Sequence, residues 1–280
     1  MRTALTFVCL FTLLQGCVKE TSWPVTNAPA PKIIVNAILT DEVRTHEISL
    51  TYTVTSLNEK PQPVIGAGVA ISNEDSTWVL NENPADPGLY LTSPVFFARQ
   101  GKNYTLLISL NGNIYSAKAA MVPGAYFREL KYARNEGTSL YHISWVANAF
   151  GTVGAAAMWE LKLDWSKVPG YEHLDSIATH ARMLFYTLPT LDVSEVFAPQ
   201  VESVLFPAGT IIAERRYSLA PAHAGFIREL LLETAWTGGL FNGAAANVTT
   251  NLSNGAMGFF GVCAVNELSV TVNPGNFVKK

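Results

Sequence analysis

The chain has 280 residues, a formal net charge of −3, 49% hydrophobic side chains and 15% charged ones. So much apolar content excludes a disordered chain, and basic runs no longer than two residues exclude a nucleic-acid binder, which needs a basic patch to neutralise phosphates. Three scattered cysteines, Cys9, Cys17 and Cys263, do not make a disulfide framework.

The chain opens with Met1 and Arg2 and an apolar run from Ala4 to Leu14, interrupted only by Thr6 and Thr12. As a helix this run would rise about 16 Å, roughly half of the ~30 Å hydrocarbon core, so it fits a signal-peptide h-region better than a span. Leu14-Gln15-Gly16-Cys17 then resembles the lipobox of bacterial lipoproteins. The resemblance implies that residues 1–16 are removed and that Cys17 carries several acyl chains. Such a protein is anchored to a membrane and does not span it. Lys19 and Glu20 resemble the surface-export signal of Bacteroidetes lipoproteins, which implies an outer-membrane anchor facing the cell exterior. The proline-bearing stretch 21–31 completes an extended tether over 17–31.

From residue 32 the pattern is β. KIIVNAILT and HEISLTYTV are rich in β-branched residues, and Ile48, Leu50, Tyr52 and Val54 alternate. Residues 63–123 break into short strands separated by turn residues at Asn73-Glu74-Asp75, Asp86-Pro87-Gly88, Gln100-Gly101-Lys102 and Asn111-Gly112-Asn113. Asn111-Gly112 is a two-residue hairpin signal. Residues 32–123 are therefore predicted to form a β-sandwich of immunoglobulin or transthyretin type. Their order of motifs also resembles carboxypeptidase-regulatory-like sandwich repeats.

Pro123-Gly124 marks a predicted boundary, with a second β-rich domain over 124–280. FRELKYARN, SLYHISWVANA, AAAMWELKLDW and TIIAERRYSL read as strands. In the third, Trp159, Leu161, Leu163 and Trp165 should face inward and Glu160, Lys162 and Asp164 outward to solvent. Residues 166–200 read as a long excursion with a short helix or edge strand. Helical spacing of Phe226 with Leu230 and of Ile227 with Leu231 predicts a helix over 221–236, opened by Pro221 and stopped by Gly238-Gly239. A loop and a final pair of strands in AMGFFGVCAVNELSVTVN close the chain.

KIIVNAILTDE, the GAGVAIS, GLYL, GKNYTLLI and YSAKAAMVP segments, the late helix and GGLFNGAAANVTTNLSNGAMGFFGVCAV together resemble the family grouped as domain of unknown function 4249 (DUF4249). Ala246 and Thr250 depart from that family's loop pattern. The resemblance implies a surface or outer-membrane lipoprotein that accompanies TonB-dependent transporters, with no established reaction.

Motifs for chemistry are sparse. His46, His142, His173, His180 and His223 lack zinc-site spacing, and no nucleophile elbow, P-loop or dinucleotide fingerprint occurs. His173 and His180 beside Glu172 and Asp175 form either a metal cluster or, as the spacing favours, a solvated loop. Asn73-Glu74-Asp75 reads as a β-turn and not as a calcium loop. Trp145, Trp159, Trp165 and Trp236 suggest packed core more than a sugar platform, and Cys263 a small buried hydrophobe. Asn242, Asn247, Asn251 and Asn254, in a Gly- and Ala-rich loop, are the candidate partner- or ligand-facing residues. The same loop can equally be a structured connection. No enzyme, cofactor or metal is expected. The expected role is a non-catalytic accessory subunit of a TonB-dependent transporter or other outer-membrane β-barrel. The alternative is a stand-alone module binding glycan or peptide at the cell surface.

Overall fold

The run IIVNAILT, strand β1 (Ile33–Thr40), buries Ile33, Val35, Ala37 and Leu39, every second side chain, against a core. The computed structural model describes residues 30–54, 59–124, 130–146, 156–188, 204–234 and 248–274. Strands β2 (Glu47–Tyr52), β3 (Gly68–Ser72), β4 (Thr77–Glu82), β5 (Leu89–Leu91), β6 (Asn103–Leu110) and β7 (Asn113–Ala120) follow β1. Asn111 and Gly112, at φ 49° and 79°, turn β6 into β7 as a tight hairpin.

These strands and β13 (Met257–Cys263) make one eight-stranded sheet in the order β13-β1-β2-β5-β4-β3-β6-β7. The β4–β5 pairing spans only Asn81–Leu91 and Glu82–Tyr90. Two faces fold over a shared core that includes Val35, Leu39, Ile48, Leu50, Ile71, Leu106, Ile108 and Phe260. Burying each such side chain stabilises the fold by about 1.5–3 kcal/mol. This is the sandwich expected over 32–123, completed by a strand from residues 257–263.

Strand β13 lies parallel to β1, with Ala37 opposite Phe260 and Thr40 opposite Cys263. Parallel pairing requires a crossover, and here the crossover is most of the chain. At the seam between β13 and β7, Ala117 bridges Leu252 and Val122 bridges Cys263.

The second sheet has the order β11-β10-β12-β14, from β10 (Ala157–Asp164), β11 (His180–Thr187), β12 (Ile211–Ser218) and β14 (Val265–Thr271). Trp159, Leu161, Leu163 and Trp165 are buried as the alternation predicts, beneath a hairpin of β8 (Lys131–Arg134) and β9 (Tyr141–Trp145). The excursion after β10 supplies a one-turn helix, α1 (Ser176–Thr179), and then β11. The expected late helix, α2 (Pro221–Thr234), lays Ala224 and Ile227 into a third core with Cys263, Tyr217 and Leu219. Among the described residues, the strands of the two predicted domains interleave. β13 belongs to the first sheet, β14 to the second, and only Ala264 lies between them.

Gly258 has φ +91°, and a Cβ there would stand 2.0 Å from the Val35 carbonyl oxygen, on the strand that β13 must pair with. Gly258→Ala is therefore expected to disrupt the β1–β13 pairing and destabilise the protein by at least ~2 kcal/mol, read as a lowered urea midpoint. An unchanged midpoint would contradict the parallel insertion.

Candidate functional site

Cys17, Lys19, Glu20, Asn242 and Asn247 lie outside the described residues. Asn251 and Asn254 sit at the seam of the eight-stranded sheet. The Asn251 side-chain amide donates to the Phe260 carbonyl (2.8 Å) and the Lys118 carbonyl (3.1 Å), and its oxygen accepts from Phe260 N–H (3.0 Å). Asn254 has φ 57°, and its amide donates to the Ile114 carbonyl at 2.9 Å. Ser253 joins them, donating from its N–H to the Ser116 carbonyl and accepting from Ser116 N–H, both at 2.8 Å. These two asparagines use their polar atoms to fasten β7 to β13. That is the structured-connection reading of the loop, and its sequence signal was the asparagines' tolerance of left-handed backbone.

The groups with chemical potential are mostly engaged in packing. His223 on α2 is buried and stacks on Phe259 at 4.8 Å between ring centroids. Gly261 makes room for it, since a Cβ there would lie 2.6 Å from the imidazole. Burial lowers the His223 pKa to about 4. Cys263 Sγ is 3.8 Å from His223 Nδ1, a pair that sequence spacing did not reveal. Burial, with a smaller push from Asp41, raises the thiol to about 12, so it stays protonated and buried as a small hydrophobe. His46 is also fully buried. Desolvation, then the nearby Arg44 charge, lowers it to about 4, and its Nε2 lies 2.8 Å from Thr40 Oγ1.

An ionic cluster lies where the β1–β2 turn meets the outward face of the second sheet. Pairing in register places Leu184, Glu160, Arg215 and Glu267 in one row across β11, β10, β12 and β14. Glu42 from the turn closes on Arg215, which also lies 3.9 Å from Glu160 and 3.8 Å from Glu267. Glu160 accepts from Arg182 Nε at 2.6 Å and from the Tyr217 hydroxyl at 3.2 Å. The alternation in β10 suggested a solvated Glu160, whereas it is 4% exposed. The Arg182, Arg215 and Tyr217 side chains lie against it. Burial alone would raise its pKa, but the Arg182 hydrogen bond and the Lys162 and Arg182 charges reverse this and hold it below the usual carboxylate range. Burial pushes the Tyr217 hydroxyl up to about 12. Every carboxylate of the row thus has a cation beside it, which suits a joint between sheets more than acid–base chemistry.

Elsewhere, Asn73 Oδ1 accepts from the N–H groups of Asp75 and Ser76, confirming the turn. Asp175 caps α1 by accepting from Ala178 N–H, and Glu172 accepts from Gly170 N–H. His180 faces Asp164 at 3.4 Å. Among the described residues no three His, Cys, Asp or Glu side chains are grouped to hold a metal ion. No helix among them is long and apolar enough to cross a membrane. A groove of about 220 Å³ opens on the outward face of β1, β2 and β5, between Asn36, Ile38, Arg44, Glu47, Ser49 and Leu89.

Residues 18–149 match the model of a family described as "Domain of unknown function (DUF4249)". This part of the chain belongs to that family. The DUF4249 stretch holds β1 to β9, including seven of the eight strands of the first sheet, and both the groove and Glu42. β13, which completes that sheet, lies beyond the matched residues. No curated protein matches the chain. Among solved structures, the FN1-FN3 domains of chicken CNTN1 are 13% identical, with a TM-score of 0.29. That alignment covers 69% of this chain and 62% of the other.

Two outcomes are expected from this geometry. Asn251→Ala leaves the Phe260 backbone groups without partners at the seam and should cost about 1–3 kcal/mol of stability by chemical denaturation. Wild-type stability would refute the fastening role. His223, held neutral in the fold, contributes stability that is complete above the unfolded pKa near 6.5 and falls as pH drops towards 4. The loss below pH 4 is about 3 kcal/mol for this residue. A melting temperature followed from pH 7.5 to 4.5 should fall more steeply for the wild type than for His223→Gln; equal slopes would count against it.

Proposed function

We propose that this DUF4249 protein is a lipid-anchored accessory subunit, non-catalytic, that docks on a TonB-dependent transporter or another outer-membrane β-barrel. Its anchor is Cys17, and Lys19-Glu20 direct it to the outer face of the membrane. The observation carrying the docking part is an apolar cluster on the outward face of β3, β4, β6 and β7. Val79, Ala70 and Leu107 stand in one cross-strand row, with Ile114 on the next. Val79 is 75% exposed, Ile114 62% and Leu107 40%, although a solvated strand face ordinarily carries polar groups at these places. Grouped exposed apolar side chains suit a surface covered by a partner.

The alternative, a stand-alone capture module, is supported by the groove on the other face of the sandwich, which combines two apolar walls with four polar or charged side chains. Under this reading the barrel partner is unnecessary.

Affinity purification of the tagged, lipidated protein from detergent-solubilised outer membrane should recover a β-barrel protein in stoichiometric amount. The double substitution Val79→Lys and Leu107→Glu should abolish recovery while leaving the melting temperature within a few degrees. Recovery of the protein alone, or an unaltered complex with the double variant, would refute docking through this face.

A further inference from the structure

The outward face of β1 and β2 brings Asn36 opposite Ser49 and sets Ile38 and Glu47 two residues further along their strands, on the same face. Leu89 of β5 pairs with Ser49 and forms the far wall of the groove, and Arg44 of the β1–β2 turn closes its end. Among the described residues, Asn36, Glu47 and Ser49 make no side-chain hydrogen bond or ion pair. Two carboxylates elsewhere on this sandwich are satisfied locally. Glu82 accepts from Gly66 and Gly88 N–H, and Glu74 from Asn103. The groove therefore gathers an amide, a hydroxyl and a carboxylate that the fold does not use.

Arg44 is the complementary charge. Its Nε lies 3.5 Å from Glu42 Oε2, but Glu42 is already closed on Arg215, and the Arg44 side chain remains 45% exposed. A guanidinium offers five donors in a planar fork, so one long contact leaves most of its capacity available for a carboxylate. The groove thus presents a cation, an anion and two neutral hydrogen-bonding groups around the apolar walls of Ile38 and Leu89. None of its lining residues is aromatic, so it lacks the ring on which a sugar face stacks.

We propose that this groove binds a small zwitterion with an apolar stem, an α-amino acid or a dipeptide with both ends free. The ligand carboxylate meets Arg44, its ammonium meets Glu47, Asn36 and Ser49 take the remaining polar atoms, and the stem lies on Ile38 and Leu89. The proposal specifies the ligand of the capture reading and is independent of docking through Val79 and Leu107, which stand on the other face of the sandwich.

The test is calorimetric titration of the full-length purified protein in detergent, without any membrane partner, using leucine and leucyl-leucine as probes. N-acetyl-leucine amide serves as the uncharged analogue and glucose as the sugar control. Binding of a zwitterionic probe is expected, with affinity at least about tenfold weaker for the uncharged analogue, because each end loses a charge-assisted hydrogen bond. Glu47→Gln and Arg44→Gln should each weaken binding about tenfold, with melting temperatures near wild type because both side chains are on the surface. No heat with either zwitterion at ten millimolar, equal binding of the uncharged analogue, preference for glucose, or wild-type affinity in both variants would overturn the proposal. A purification that recovers no barrel partner would leave this titration unaffected, so the two readings fail separately.

Discussion

The parallel seat of β13 beside β1 is the constraint on which the architecture depends. Without it, β1 would be an open edge, and Phe260 and Val262 would be missing from the core of the sandwich. The pairing joins residues more than two hundred positions apart, so its entropic cost must be met by the burial that follows it. Gly258 permits the approach to Val35, and Asn251 and Ser253 fasten the opposite seam. The N-terminal sandwich is complete only after nearly the whole chain has been made.

The same strand ties the two sheets together. β13 passes through Ala264 into β14, and the junction is held by Ser218, whose N–H donates to the Ala264 carbonyl while its hydroxyl accepts from Ala264 N–H. Asp41 accepts from Val265 N–H beside it, and Glu42 reaches Arg215. One short turn between β1 and β2 therefore contributes both a backbone tie and a charge pair to the second sheet. The charged groups gathered there offset each other's desolvation. They are better understood as fixing how the sheets meet than as adding much net stability.

Much of the fold was legible because it rests on local rules. The alternation in IIVNAILT and in Trp159, Leu161, Leu163 and Trp165 gave strands and their buried faces, Asn111-Gly112 gave a hairpin, and Pro221 opened the helix. Those signals lie within one element and need no knowledge of its partners. Glu160 was read as solvated because alternation distinguishes two faces of a strand but cannot tell that the second face is covered. Asn251 illustrates the same limit at the candidate site: its residue type suited both a loop that meets a partner and a clasp, and only the position of Lys118 and Phe260 decided for the clasp. The His223–Cys263 contact and the groove were not legible, since each assembles side chains from separate elements.

The sequence by itself determined a mainly β chain, the positions of most strands and turns, the single long helix among the described residues and the resemblance to DUF4249. These are consequences of side-chain period, turn chemistry and residue order, all carried by neighbours in the chain. The tertiary structure decided which strands share a sheet, that β13 completes the first sandwich while β14 enters the second sheet, and which polar groups are spent on the fold. It also decided that Asn36, Glu47 and Ser49 remain unspent. Such facts depend on contacts between distant residues, where burial and hydrogen-bond geometry, and not local propensity, select the partner.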